Sequence, residues 1–251
     1  MTFSKKFIYI FLLSSFIFLL LLIFYFKKTS NTEVNMNKLQ TETKETQTET
    51  TYTENTLPEP EFYQETISES LKETMTGKSY TPNDNITFDN LRHVVVSYID
   101  FDGNTRSGEL VVNEAVADDV VEIFKELYEA AYPIEKIRLI DEYNGDDDES
   151  MGDNNSSCFN YRTIDGQTTL SDHSYGLAID INPLYNPYVR TGMGQRNVLP
   201  VNGQVYADRT SDFPHKITHD DVCYQIFTKH GWLWGGDWDS PVDYQHFYRE
   251  L

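Results

Sequence analysis

The feature that most constrains this chain is a run of 20 residues without a charge, Phe7 to Phe26, close to its start. At about 1.5 Å per residue, a helix of this length spans roughly 30 Å, the thickness of the hydrocarbon core of a membrane. A cleavable signal peptide has a shorter apolar region that ends at small residues, whereas this run is followed by Lys27 and Lys28. We therefore predict a retained transmembrane helix over residues 7–26, with a cleaved signal peptide as the alternative.

The orientation of this helix depends on the residues that flank it. Lys5 and Lys6 precede it and Lys27 and Lys28 follow it, so the positive-inside rule favours neither direction. Because a short N-terminal segment normally stays inside, we expect residues 1–6 to form a cytoplasmic tail. The chain is then a single-pass protein of the cell membrane, and its C-terminal part lies outside the cell.

The charge of the chain excludes one broad class of function. Lys and Arg number 20 against 40 Asp and Glu, and the net charge of -20 argues against a general nucleic-acid-binding protein, because phosphate groups require a basic surface. Residues 27–85 are rich in Thr and Glu, and their few apolar residues show no period. This composition predicts a disordered linker between the membrane helix and a folded domain.

Signals of a folded domain begin near residue 86 and continue to the C-terminus. Two apolar stretches, 94–99 and 106–112, predict strands that are joined by a turn at Asp102-Gly103. Apolar residues then recur every three or four positions over 116–131, which predicts a helix. Because the predicted strands and helices do not alternate regularly, we expect an α+β fold for residues 86–251, with a mainly antiparallel sheet.

The first cluster of reactive side chains lies in the segment Ser171-Asp172-His173-Ser174-Tyr175-Gly176-Leu177-Ala178-Ile179-Asp180. Its last four residues alternate between large apolar and other residues, as in a half-buried strand. The Asp180 carboxylate is therefore expected on the face opposite Leu177 and Ile179. His173 precedes this strand in a turn-like stretch, so its imidazole and the carboxylate could converge on one point.

A second cluster lies near the C-terminus, in Gly231-Trp232-Leu233-Trp234-Gly235-Gly236-Asp237-Trp238 and then Asp243-Tyr244-Gln245-His246-Phe247. Together with His173 and Asp180, His246 forms a set of two histidines and one carboxylate. Such a set is typical of catalytic zinc, which keeps a fourth position open. The sequence therefore predicts a Zn²⁺ cofactor held by these three residues.

Further residues complete the candidate site. Asp243, three residues before His246, is a candidate general base toward the water that zinc activates. Arg162 is a candidate to bind, in addition to zinc, an oxyanion or a substrate carboxylate. The aromatic cluster of Trp232, Trp234 and Trp238 forms either part of the core or the wall of a substrate cleft. The candidate substrate-binding residues are Ser171, Tyr175, Trp234 and Trp238.

The motifs S-x-H-x-x-G-x-A-x-D, G-W-x-W-G-G-x-W and D-x-x-H-F resemble those of the zinc D-alanyl-D-alanine carboxypeptidases and L-alanyl-D-glutamate endopeptidases of bacterial cell walls. The resemblance extends from about Val94 to the C-terminus. It implies a small antiparallel sheet flanked by helices, and it implies that the zinc ligands are His173, Asp180 and His246.

The resemblance also implies the roles of three other residues. Asp243 is the catalytic base, Arg162 binds and stabilises the reacting carbonyl group, and Ser171 orients the site. Many relatives have glutamate at the position of the base, so the side chain of Asp243 is one methylene shorter than theirs. The implied substrates are the stem peptides of peptidoglycan.

Three alternatives stay open on the sequence alone. Carboxypeptidase action removes a terminal D-alanine, whereas endopeptidase action cuts the L-alanyl-D-glutamate bond, and the motifs do not distinguish these reactions. A zinc-containing binding module without turnover is a rival from another class.

Cys158 and Cys223 are possible disulfide partners in an exported domain. We expect a monomer.

Overall fold

A computed structural model describes residues 59–192 and 194–251. Its helices are α1 (Glu69–Met75), α2 (Ala117–Glu129), α3 (Asp147–Gly152) and α4 (Val222–Lys229). Its strands are β1 (Phe62–Thr66), β2 (Leu91–Ile99), β3 (Thr105–Asn113), β4 (Lys136–Ile137), β5 (Asn155–Ser156), β6 (Ala178–Asp180), β7 (Tyr188–Val189), β8 (Val198–Leu199), β9 (Leu233–Trp234), β10 (Val242–Asp243) and β11 (His246–Tyr248).

The longest strands form an antiparallel sheet in the order β1-β2-β3. The two predicted strands are confirmed as β2 and β3, which pair from Leu91 opposite Asn113 to Ile99 opposite Thr105. The Asp100 carboxylate fixes the turn between them, because it accepts hydrogen bonds from the backbone N–H groups of Asp102 and Asn104.

One face of this sheet packs against α2, the helix that the apolar period predicts. Val120, Ile123, Phe124 and Leu127 of the helix are buried in the same core cluster as Val94 and Val96 of β2. Residues of α4, β6, β9 and β11 join this cluster, which therefore connects the N-terminal sheet to the C-terminal motifs.

Part of the range predicted as a disordered linker, residues 27–85, is folded. Strand β1 pairs with β2 over its whole length, and α1 begins at an N-cap in which the Ser68 side chain accepts a hydrogen bond from the Leu71 N–H. Ile67, Met75 and Tyr80 are buried in a second core cluster. The prediction of disorder is wrong for residues 62–80, because isolated apolar residues secure this segment through tertiary packing and leave no period in the sequence.

The C-terminal half consists of short strands in small sheets. The order β6-β11-β9 forms one antiparallel sheet and β10-β7-β8 another, while β4 and β5 pair in parallel. The α+β prediction is confirmed in this coarse form. The expected single sheet is instead divided into several, because turns rich in Gly, Pro and Asn limit most of these strands to two or three residues.

Other predictions of the sequence have mixed outcomes. Cys158 and Cys223 are both buried as free thiols, so the structure contains no disulfide between them. The predicted transmembrane helix over 7–26, the tail over 1–6 and the linker up to residue 58 lie outside the described residues. Within residues 59–251, no helix has the length and apolar character needed to cross a membrane.

Candidate metal centre

Two adjacent strands carry the carboxylate and one imidazole of the predicted metal set. Strands β6 and β11 pair antiparallel, and Asp180 lies directly opposite His246 in their register. Side chains that are directly opposite on one face of a sheet have Cβ atoms about 5 Å apart. The pairing therefore brings the two side chains together, and both are buried.

The third member, His173, lies in a single 3-10 turn, Asp172–Tyr175, just before β6. The Ser171 side chain caps this turn by accepting the His173 N–H at 3.4 Å. Gly176 ends it in the left-handed region at φ 66°, and the Gly176 carbonyl accepts the Asn113 N–H at 2.8 Å. The turn is thus fastened to the end of β3, which fixes the direction of the imidazole.

The three side chains present their ligand atoms to one point. His173 Nε2 lies 3.2 Å from His246 Nδ1 and 3.2 Å from Asp180 Oδ2, and His246 Nδ1 lies 3.1 Å from Asp180 Oδ1. In a tetrahedral site with bonds of about 2.0 Å, neighbouring ligand atoms are about 3.3 Å apart. The observed triangle therefore fits three corners of a tetrahedral metal site.

The nitrogen of His173 that lies opposite its ligand atom supports this assignment. His173 Nδ1 lies 2.6 Å from the backbone carbonyl of Cys158, so it donates a proton there and leaves a lone pair on Nε2. His246 Nε2 is buried without a hydrogen-bond partner among the described residues, and the Asp172 Oδ2 atom lies 3.8 Å from it. Histidine ligands of metals commonly donate their second N–H to a carbonyl or a carboxylate, as His173 does here.

The buried charges of the three residues are strongly interdependent. Burial alone would raise the pKa of Asp180, but the imidazoles of His173 and His246 hold this pKa well below its usual range. Burial alone would lower the pKa of His246, but the carboxylates of Asp172 and Asp180 raise this pKa to about 10. A divalent cation satisfies the same carboxylate and competes with the proton on the imidazole.

The metal set opens onto a cavity of about 280 Å³, which Asp243 also lines. Asp243 belongs to β10, is 8% exposed, and its Oδ1 atom has no hydrogen-bond partner within the part of the chain that the structure describes. Burial raises the pKa of this carboxyl group to about 7. A buried carboxylate beside an open metal position can accept a proton from water.

Arg162 lines the same cavity. Its guanidinium forms an ion pair with Asp147, and its backbone N–H donates to the Ser174 Oγ at 2.9 Å. Asp147 is the first residue of α3, and Asp146 before it is the N-cap. The structure thus brings the predicted base, Arg162 and the three predicted ligands around one cavity.

The predicted substrate-binding residues divide into two groups. Ser171 and Trp238 line the cavity. Tyr175 does not line it and packs against the second core cluster, and Trp234 is 4% exposed and stacks on Phe247 in the main core. Tyr175 and Trp234 thus pack among apolar side chains instead of lining the cavity, and their contact with substrate stays a prediction.

The cavity also contains residues that the sequence did not single out as functional. Asp172 lies beside His246, while Tyr188 and Arg190 come from β7 and the residue that follows it. Strand β7 is only two residues long and pairs with β10 across about 54 residues of chain. A pairing of this kind leaves no local pattern in the sequence.

Residues 165–249 match the family model described as D-alanyl-D-alanine carboxypeptidase. This match supports the family resemblance that the motifs indicate, over residues 165–249. The matched residues include His173, Asp180, Asp243 and His246, while Arg162 lies three positions before them. The match and the buried ligand set support a metallopeptidase related to peptidoglycan. Neither the curated proteins nor the solved structures contained a match to the chain.

Proposed function

We propose that this protein is a zinc-dependent D-alanyl-D-alanine carboxypeptidase that trims the stem peptides of peptidoglycan. The observation that carries the proposal is the triangle of His173, Asp180 and His246 ligand atoms, which faces the cavity that the Asp243 carboxylate also lines. Two imidazoles and one carboxylate are the donors that zinc prefers at catalytic sites. When bound, zinc polarises a carbonyl group and lowers the pKa of a water ligand to about 7.

The residues of the chain have separate tasks in this proposal. Asp243 accepts the proton of the attacking water and passes it to the leaving amine. The Arg162 guanidinium stabilises the negative charge that develops on the oxygen of the scissile carbonyl. Trp238 and Ser171 line the cavity and limit the access of other water to the reacting atoms.

Two alternatives differ in substrate or in turnover. An L-alanyl-D-glutamate endopeptidase would use the same residues on another bond of the stem peptide. A zinc-containing binding module would hold the metal without hydrolysis, but the buried carboxylate of Asp243 and the guanidinium of Arg162 favour catalysis.

The place of action is part of the same proposal. We infer that residues 7–26 anchor the chain in the cell membrane as a single span and that the catalytic domain acts outside the cell as a monomer. The substrate then lies in the wall layer close to the membrane.

The test uses the full chain, stripped of metal and then reloaded with zinc. It is incubated with purified muropeptides that carry pentapeptide stems, and the products are analysed by mass spectrometry. Release of free D-alanine, and its loss on chelation, is the expected result. A product cut after L-alanine would instead indicate the endopeptidase. Intact muropeptides in the presence of bound zinc would overturn the assignment to a peptidase.

A further inference from the structure

A second guanidinium, that of Arg190, lines the cavity on the side of the catalytic base. Strands β7 and β10 pair so that Tyr188 lies directly opposite Asp243. Arg190 follows Tyr188 by two residues, so both side chains lie on the same side of the extended backbone, about 7 Å apart along it. The Arg190 guanidinium is 5.4 Å from the centre of the Tyr188 ring. The side chain of Arg190 therefore continues the cavity wall that Tyr188 forms beside Asp243.

The side chain of Arg190 is held at the cavity by a carboxylate of the protein itself. Its Nη2 forms an ion pair with the Asp165 carboxylate, and its Nη1 donates to the Asp165 backbone carbonyl at 3.0 Å. The Arg190 side chain is 10% exposed, whereas that of Asp165 is 42% exposed. Asp165 lies in a loop that Thr163 and Leu170 close by a bridge. The Asp165 carboxylate, at the rim of the cavity, is thus ion-paired with the buried Arg190 guanidinium inside the cavity.

We propose that Arg190 binds the α-carboxylate of the substrate residue that follows the scissile bond, and that Asp165 is an internal competitor for the same guanidinium. This inference rests on the proposed function. The planar fork of a guanidinium matches a carboxylate in a bidentate manner. Asp165 places a carboxylate on Arg190 at the cavity, and its side chain is 42% exposed. In this proposal, Asp165 moves toward solvent when the substrate carboxylate binds.

Both candidate substrates carry this group at the same place. In a D-alanyl-D-alanine terminus, the α-carboxylate of the last residue is separated from the scissile carbonyl by only the nitrogen and the α carbon. In an L-alanyl-D-glutamate bond whose glutamate continues through its γ-carboxyl, the free α-carboxylate of glutamate has the same separation. The proposed function assigns Arg162 to the reacting carbonyl group, which leaves Arg190 for the carboxylate in either case.

The test compares each substrate with its α-amide. The full zinc-loaded chain is assayed on an acetylated L-lysyl-D-alanyl-D-alanine peptide and on its C-terminal amide. A second arm uses an L-alanyl-γ-D-glutamyl peptide and the corresponding isoglutamine peptide, so that the two sources of the carboxylate are distinguished. The variants are Arg190→Gln, Arg190→Lys and Asp165→Asn. Arg138→Gln is the matched control, because it removes an exposed ion pair with Glu142 outside the cavity.

We expect Arg190→Gln to lower kcat/KM on the free acid by about 10- to 100-fold, the usual effect of losing a hydrogen bond to a charged group. Arg190→Gln changes kcat/KM on the amide by less than about threefold. On the free acid, kcat/KM of Arg190→Lys lies between that of Arg190→Gln and that of the wild type. Asp165→Asn lowers KM on the free acid, because it removes the competitor. Zinc content, measured on each variant, is unchanged.

The outcomes separate this inference from the proposed function. If the wild type cleaves none of the four peptides although zinc is bound, the proposed function itself fails. If the wild type cleaves acid and amide equally well, the α-carboxylate is not recognised. If Arg190→Gln lowers both activities by the same factor, Arg190 has a structural role only, and the inference is overturned while the peptidase assignment stands.

Discussion

The glycine of the S-x-H-x-x-G motif offers a stability test of how His173 is positioned. Gly176 has φ 66°, and a Cβ atom at this position would lie 2.6 Å from the Asn113 backbone nitrogen and 2.9 Å from the Val112 carbonyl carbon. Both neighbours are backbone atoms of β3, which a rotamer change cannot move. Substitution by alanine therefore combines an unfavourable backbone conformation with a close contact.

The free-energy cost of Gly176→Ala follows from these two contributions. A left-handed conformation costs a residue with a Cβ about 1–2 kcal/mol, and overpacking costs about 1–3 kcal/mol. We expect Gly176→Ala to lower the free energy of unfolding by about 2–5 kcal/mol. Gly103→Ala is the matched control, because Gly103 has φ 81° and a Cβ atom added there would have no atom of the described residues within 4 Å beyond its chain neighbours. Its cost is about 1–2 kcal/mol.

Urea unfolding of the two variants and the wild type measures the difference. The smaller entropy of the unfolded chain after a Gly-to-Ala change affects both variants alike and cancels between them. We also expect Gly176→Ala, and not Gly103→Ala, to weaken zinc binding, since the displaced turn carries His173. If the two variants lose equal stability, within about 0.5 kcal/mol, the close approach of Gly176 to β3 does not fasten the turn.

Two further predictions concern a second carboxylate at the metal site and the hairpin. Asp172→Asn should weaken zinc binding by about 10-fold or more, because the Asp172 carboxylate lies 3.8 Å from His246 Nε2 and stabilises its N–H electrostatically. Competition with a chromophoric chelator measures the zinc affinity, and an unchanged affinity would contradict this prediction. The Asn104 N–H and the Arg106 guanidinium lower the pKa of Asp100 to about 2. The resulting stabilisation is therefore complete above about pH 4, where the carboxyl group of an unfolded chain is also ionised, and disappears as the pH falls through about 2. Acid unfolding of Asp100→Asn should lack this contribution, and an unfolding profile identical to that of the wild type would refute it.

The sequence predicts which three side chains converge, because His173, Asp180 and His246 each lie in or beside a short strand-like segment. Alternation around Asp180 indicates which face its carboxylate occupies, and the pairing of β6 with β11 then needs only one register to bring His246 opposite. The long strands β2 and β3 are predictable for the same reason, since their apolar runs and the intervening turn are local signals.

Features that depend on distant contacts are not visible in the sequence. Strand β1 and helix α1 are held by single apolar residues such as Met75, so composition alone indicates a disordered linker. The pairing of the two-residue strands β7 and β10 brings Arg190 to the cavity, and Asp165 forms an ion pair with Arg190 from a loop. The aromatic residues of the G-W-x-W-G-G-x-W motif look alike in sequence, yet Trp234 is in the core and Trp238 lines the cavity.

In the proposed site, His173, Asp180 and His246 hold the metal, while Asp243 serves as the general base. The most direct test measures zinc content and D-alanine release on the same sample of Asp243→Ala. We expect one zinc ion per chain, as in the wild type, and no detectable release of D-alanine from pentapeptide stems. Full activity of this variant, or loss of its zinc, would contradict this division of roles.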